Sequence, residues 1–234
     1  MSDDSRVPGS VPEVARWTIP FGLYVVGTTV AAQLDRSLYP LAYSALTILL
    51  LIGMWQPLRC LELLKPHKNI FLPIALGVFG IVAWIVLTNL NLDRQLASYL
   101  PKSLRPSERQ AFDPFSEIDV AWQRYGFIAA RILGLVVVVP IAEELFWRGF
   151  LMRWFINEDW QKVRFGTYSH LSFWGVVALF MLAHPEWIAA AAYCVILNSY
   201  SCWRRDLWGC TVAHATSNLL LAVYVLATCQ WVFW

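Results

Sequence analysis

Charge is scarce in this chain. Asp, Glu, Lys and Arg make up only 15% of its 234 residues, against 58% hydrophobic, and its mean hydropathy is +0.52. A soluble domain carries nearer a quarter charged residues, so an ordinary water-soluble globule is excluded. The basic residues form no cluster and the formal net charge is only +2, so nucleic acid is not an expected partner. Cysteine occurs five times, at Cys60, Cys194, Cys202, Cys210 and Cys229, with no CxxC pair. Buried free thiols are therefore expected rather than a metal knuckle or a disulfide framework. There is no HExxH, no Gly-rich phosphate loop, and no serine or cysteine in an evident nucleophile context. These gaps leave a one-helix zinc site and phosphate chemistry unsupported. Internal repeats and low-complexity tracts are also missing, which argues against a repeat-built transporter. The opening stretch "MSDDSRVPGSVPEVAR" is polar and acidic, unlike the basic start of a signal peptide.

What is present is long apolar runs. Several approach the roughly 20 residues needed to cross about 30 Å of hydrocarbon. The 13 tryptophans suit bilayer interfaces. The expected fold is all-α, a polytopic transmembrane helical bundle of about seven spans forming a single integral membrane domain. Residues 1–123 supply the N-terminal spans and a polar loop, and 124–234 supply a core. The spans are expected at 17–34, 38–57, 70–91, 124–156, 171–184, 187–203 and 207–233. The fourth is too long for one crossing, so its end should tilt or project. Residues 92–122 read as an extramembrane loop with room for a short surface helix.

Loop charges set the expected orientation. Arg6, Arg16, Arg59, Lys65, Lys68, Arg153, Lys162, Arg164, Arg204 and Arg205 fall on one side. Arg36, Arg94, Lys102, Arg105, Arg109 and Arg124 fall on the other. The excess favours a cytoplasmic N-terminus.

Ionisable residues at membrane depth cost about 2.5–3.5 kcal/mol each on insertion scales and often mark function. In "PIAEELFWRGFLMR", Glu144 and Arg148 stand four apart, in the favourable order for a helical ion pair. Glu143 is then turned about 100° away, without that partner. It is placed to act as a general base on water, or it is merely a wetted neighbour of an ion-pair staple. His184 ends the apolar run "FMLAH", either as a capped helix-end histidine or as a site residue. His214 and Asn218, in "HATSN", share one helix face; an interhelical hydrogen bond would explain them as well. Arg131 reads as packing, snorkelling or function alike.

Depth couples three of these groups. Counted from the same expected side, Glu143 lies about 15 Å in, His214 about 13–14 Å and His184 about 18 Å at helical rise. One site near mid-membrane explains this better than three separate accidents. Two hydrolytic schemes suit such a set. In one, Glu143 and His184 activate water while His214 and Asn218 stabilise an oxyanion. In the other, Glu143, His184 and His214 hold a divalent metal, zinc by preference, that activates water.

At these residues the chain resembles the CPBP family of intramembrane proteases, which includes type II CAAX prenyl endopeptidases and bacteriocin-processing enzymes. The family forms EExxxR, FxxxH and HxxxN appear in order as "EELFWR", "FMLAH" and "HATSN", within about 124–222. The resemblance implies an all-α bundle that hydrolyses a peptide bond of a membrane-associated protein or peptide. It implies Glu143 as base, His184 as its partner, and His214 and Asn218 as the oxyanion site, with Glu144 and Arg148 supporting the geometry and Glu144 assisting. A metal-free glutamate mechanism is preferred, with no cofactor. "FDPF", "EELFWRGFLMRW" and "LWGCTVAHATSNL" further resemble a bacterial subgroup associated with exosortase sorting systems. That implies the inner membrane and a hydrophobic or membrane-anchored substrate, prenylated or not, linked to a protein-sorting system. The alternatives are a non-catalytic membrane scaffold or immunity protein of the same fold, and a proton-coupled transporter.

Overall fold

A computed structural model describes residues 13–59, 62–101, 105 and 111–233. The expected markers Arg6, Lys102, Arg109 and Cys60 lie outside the described residues. Among those described there is no strand. Helices α1 (Glu13–Gln33), α2 (Tyr39–Arg59) and α3 (Phe71–Asn89) come first. Two short helices follow in the polar segment, α4 (Leu92–Ser98) and α5 (Pro114–Glu117). The remainder is α6 (Ala121–Trp154), α7 (His170–Leu182), α8 (Trp187–Arg204) and α9 (Leu207–Thr228). Each of the seven expected spans has its helix, with ends shifted by a few residues. Helices α3, α6 and α9 are long and apolar enough to cross a membrane, while the apolar stretch of α2 and the whole of α7 are shorter.

The long helix α6 is not uniform. It widens into π-helical turns at Gly134–Val138 and again at Leu145–Leu151, on either side of an α-helical piece, Val139–Glu144. The cause is legible at Pro140. In the first wide turn the Val139 N–H bonds the Gly134 carbonyl, five residues back. The next amide in that register belongs to Pro140, which has no N–H to give. The Leu135 carbonyl is thereby released from the helix ladder. π-Turns of this kind recur at functional sites, and the two here bracket Glu143 and Glu144. Neighbouring helices come close at the second turn: a Cβ on Gly149 would stand 2.4 Å from the Trp17 ring of α1.

Lipid tails are as apolar as leucine, so burying apolar side chains contributes little to holding membrane helices together. Close packing and interhelical hydrogen bonds take over that role. The α3–α9 pair shows both. A Cβ on Gly77 would lie 2.4 Å from the Ala213 carbonyl oxygen and 2.7 Å from Thr216 Cβ, so the two backbones nearly touch. The Ser217 hydroxyl lies 2.8 Å from the Gly77 carbonyl and accepts a bond from Tyr193 of α8 at 2.9 Å. Between α6, α7, α8 and α9, Trp147, Phe173, Val176, Phe180, Leu197 and Ala213 form a close-packed cluster.

Two expectations need correction. Arg153 was counted among solvent-side charges, but it is buried. Its guanidinium donates to the carbonyls of Val163, Gly149 and Gln161 and lies over Trp160. The loop after α6 folds back over the helix end and needs those carbonyls satisfied, which a five-donor guanidinium can do. Among the described residues the four cysteines are free, yet only Cys194 and Cys210 are buried; Cys202 is half-buried and Cys229 exposed. Cys229 sits at the α9 C-cap, beyond the packed part of the bundle.

Candidate active site

The buried charges are ordered around Arg148. Its Nη1 donates to Glu144 Oε1 at 3.0 Å, Nε donates to Asn198 Oδ1 at 3.0 Å, and Nη2 approaches Cys194 Sγ at 3.3 Å. The guanidinium also lies 5.3 Å from the centroid of the Phe180 ring. Asn198 in turn donates to the Phe173 carbonyl, so Arg148 ties α6 to α8 and, through Asn198, to α7. A buried guanidinium without such partners would be prohibitively costly. Glu144 is fully buried, and the same Oε1 accepts from His214 Nδ1 at 2.9 Å. One carboxylate oxygen therefore fixes both the arginine on its own helix and the histidine on α9.

Glu143 has a different environment. It lines a cavity of about 150 Å³, together with His184, His214, Asn218, Arg131, Tyr24, Trp84, Tyr193 and Ser217. Such a volume holds a few waters. Glu144 and Arg148 do not line it; they stand behind its wall. Glu143 Oε2 is buried with no hydrogen-bond partner among the described residues. Arg131, Leu135, Val139 and Glu143, each four residues from the next, form the stripe of α6 that faces the cavity.

The ring nitrogens of both histidines are assigned by their partners. His184 follows the end of α7, and its Nδ1 meets the Phe180 carbonyl at 2.8 Å. A carbonyl only accepts, so Nδ1 carries the hydrogen, and in the neutral ring Nε2 is the acceptor. The ring stacks on Phe180 at 4.4 Å and meets Trp84 edge-on at 5.7 Å. His214 Nδ1 likewise donates to the Glu144 carboxylate. Its Nε2 then accepts in the neutral ring and donates only in the imidazolium. Asn218 Nδ2 donates to the Leu135 carbonyl at 2.8 Å, the group that Pro140 left over. One amide hydrogen of Asn218 is used there and the second is available to the cavity.

The structure thus brings Glu143, His184, His214 and Asn218 to one cavity and places Glu144 and Arg148 behind it. Sequence reasoning did not single out Tyr24, Trp84, Tyr193 or Ser217, because each reads as ordinary helix packing. Among the described residues no three His, Cys, Asp or Glu side chains are grouped so as to hold a metal ion. Glu143, His184 and His214 share the cavity without forming a ligand shell there.

Residues 125–220 match the family model described as type II CAAX prenyl endopeptidase Rce1-like. That segment, under half of the chain, is similar to this family. The Rce1-like core runs from the start of α6 into α9 and contains every candidate site residue. The match and the three helices long and apolar enough to cross a membrane together support an integral membrane protein. No curated protein and no solved structure matches the chain significantly.

Proposed function

We propose that the protein is an intramembrane endopeptidase in which Glu143 activates water without a metal. The observation that carries this reading is the division of labour between adjacent carboxylates. Glu144 is engaged by Arg148 and His214, while Glu143 keeps a buried, unpartnered oxygen in the cavity it shares with both histidines. Glu143 Oε2 and His184 Nε2 are acceptors, suited to the two hydrogens of one water. Glu143 takes one proton as the water oxygen attacks the peptide carbonyl. His214 and the second Asn218 hydrogen stabilise the oxyanion. As the C–N bond breaks, the proton held by Glu143 passes to the leaving amine, giving a new carboxylate and a new amino terminus.

The substrate in this reading is a membrane-anchored or hydrophobic peptide segment, prenylated or not, reaching the cavity from the bilayer. The bias of loop charges favours a cytoplasmic N-terminus; the resemblance to the sorting-associated bacterial subgroup implies an inner membrane and makes a protein-sorting component one substrate class to include. The test is to incubate the purified protein in detergent micelles with a library of membrane-tethered peptides and to identify new termini by mass spectrometry. We expect cleavage by wild type and at least about a hundredfold loss in His184→Ala, the scale of a general acid–base contribution. Wild-type protein that is folded yet leaves the whole library intact would sink the protease reading in favour of a scaffold.

A further inference from the structure

The largest cavity described lies away from the candidate active site. It measures about 500 Å³ and sits between the α2–α3 connection and the α8–α9 turn. Lys65, His67, Arg204 and Arg205 supply its basic groups, and Glu62 and Asp206 its acidic ones. Both acids are already satisfied. Glu62 pairs with Lys65 at 2.6 Å. Asp206 accepts from the Gly209 N–H at 2.8 Å, from the Tyr200 hydroxyl at 2.7 Å, and contacts His67 Nε2 at 3.1 Å. Arg204 and Arg205 are exposed and have no ion pair among the described residues, so the remaining field of the cavity is cationic.

The backbone adds a second observation. Arg205 has φ 53° and ψ 46°, the left-handed conformation, at the α8 C-cap. Glycine or asparagine is the usual residue there, because a Cβ is penalised. The chain keeps an arginine at a position where the backbone favours its removal, which points to a use for the charge.

Location decides the ligand. Helices α3 and α9, both long enough to cross a membrane, begin at Phe71 and Leu207, and both residues line this cavity. Phe71 is 87% exposed and Trp203, beside Arg204, is 69% exposed. The cavity is therefore polar and cationic on one side and continues into exposed apolar and aromatic surface at the depth where helices enter the bilayer. Lipid phosphates lie at that depth, and basic pockets between membrane helices bind anionic head groups. We propose that this cavity binds the head group of an anionic phospholipid, with Arg204 and Arg205 on its phosphate and the acyl chains along Phe71 and Leu72. Because Leu207 starts the helix that carries His214, occupancy also fastens the end of α9.

The test uses the full chain in nanodiscs of phosphatidylcholine, with and without about a fifth phosphatidylglycerol. Readouts are retained lipid by native mass spectrometry and the thermal unfolding midpoint. We expect phosphatidylglycerol to be retained and to raise the midpoint. Arg204→Gln with Arg205→Gly should weaken retention by roughly thirtyfold, at the usual worth of two basic residues near an anionic surface. Arg205→Gly alone relieves the left-handed backbone, so a folded protein with reduced retention separates lost charge from lost structure. Arg36→Gln, in the α1–α2 connection at the opposite end of α2, should retain lipid as wild type does. Equal retention in the double variant, or an equal midpoint rise from inorganic phosphate in pure phosphatidylcholine, would overturn the lipid assignment.

Discussion

Glu144 and His214 meet across α6 and α9 through a 2.9 Å hydrogen bond to the same carboxylate oxygen that binds Arg148. The adjacent Glu143 has no such ties at Oε2. The two neighbours should therefore behave oppositely on mutation. Glu144→Gln removes the counter-charge of a fully buried guanidinium and should cost about 3–5 kcal/mol, as breaking a buried pair does. Glu143→Gln should leave stability within about 0.5 kcal/mol, because no described partner of that oxygen is lost. Unfolding midpoints of both variants in one detergent compare them directly.

In the proposed mechanism Asn218 links the kink to the chemistry. Its side chain satisfies the Leu135 carbonyl that Pro140 strands, and its other amide hydrogen is assigned to the oxyanion. Asn218→Ala should destabilise by about 1–3 kcal/mol through the orphaned carbonyl. It should also lower kcat by about 10²–10³, the worth of one oxyanion donor. Measuring kcat and stability on the same sample separates the two effects. Full activity in a destabilised variant would remove Asn218 from the catalytic step.

Gly77 has a similar reach from outside the site. A Cβ there would strike the Ala213 carbonyl and Thr216, one and two residues away from His214. Gly77→Ala should push α9 outward, costing about 1–3 kcal/mol of overpacking and lowering activity by misplacing His214. Gly53, where a Cβ meets nothing within 4 Å, is the control: Gly53→Ala should be neutral or slightly stabilising. Unfolding and cleavage assays on the two alanine variants test the contrast.

Asp206 gives a pH prediction outside the membrane-spanning segments. Burial raises its pKa, but the bonds from Gly209, Tyr200 and His67 outweigh burial and hold it below the ordinary 3.8. An aspartate depressed in this way contributes stability above pH 3.8, and that contribution is lost as pH falls through the lower folded value. Asp206→Ala should cost about 1 kcal/mol as a lost α9 cap and should flatten the acid limb. The difference in unfolding midpoint between wild type and variant should shrink on acidification through that window; a difference independent of pH would contradict it.

Much of this was legible in the residues. Apolar runs placed the helices because hydrocarbon thickness fixes their length, and helical rise put Glu143, His184 and His214 at one depth. The Glu144–Arg148 pair followed from i,i+4 spacing. Other features depend on tertiary approach, which spacing does not encode. Nothing local announces that Asn198 and Cys194 of α8 complete the Arg148 shell, or that His214 bonds to Glu144. Pro140 was visible, but its consequence, a carbonyl released toward Asn218, requires knowing that α9 lies opposite. Arg131 was ambiguous for the same reason: its place in the cavity wall depends on α6 turning that stripe inward. Arg153 was misread because a loop charge and a loop-binding charge look identical in a sequence.

The most direct test of the central claim pairs Glu143→Gln with metal removal. Wild type and variant are purified with chelator, analysed for bound metal and assayed on the same membrane-tethered peptides. We expect metal-free wild type to cleave and the equally stable Glu143→Gln to be inactive. Loss of wild-type cleavage on chelation with recovery on added zinc, or undiminished cleavage by Glu143→Gln, would contradict a metal-free glutamate mechanism.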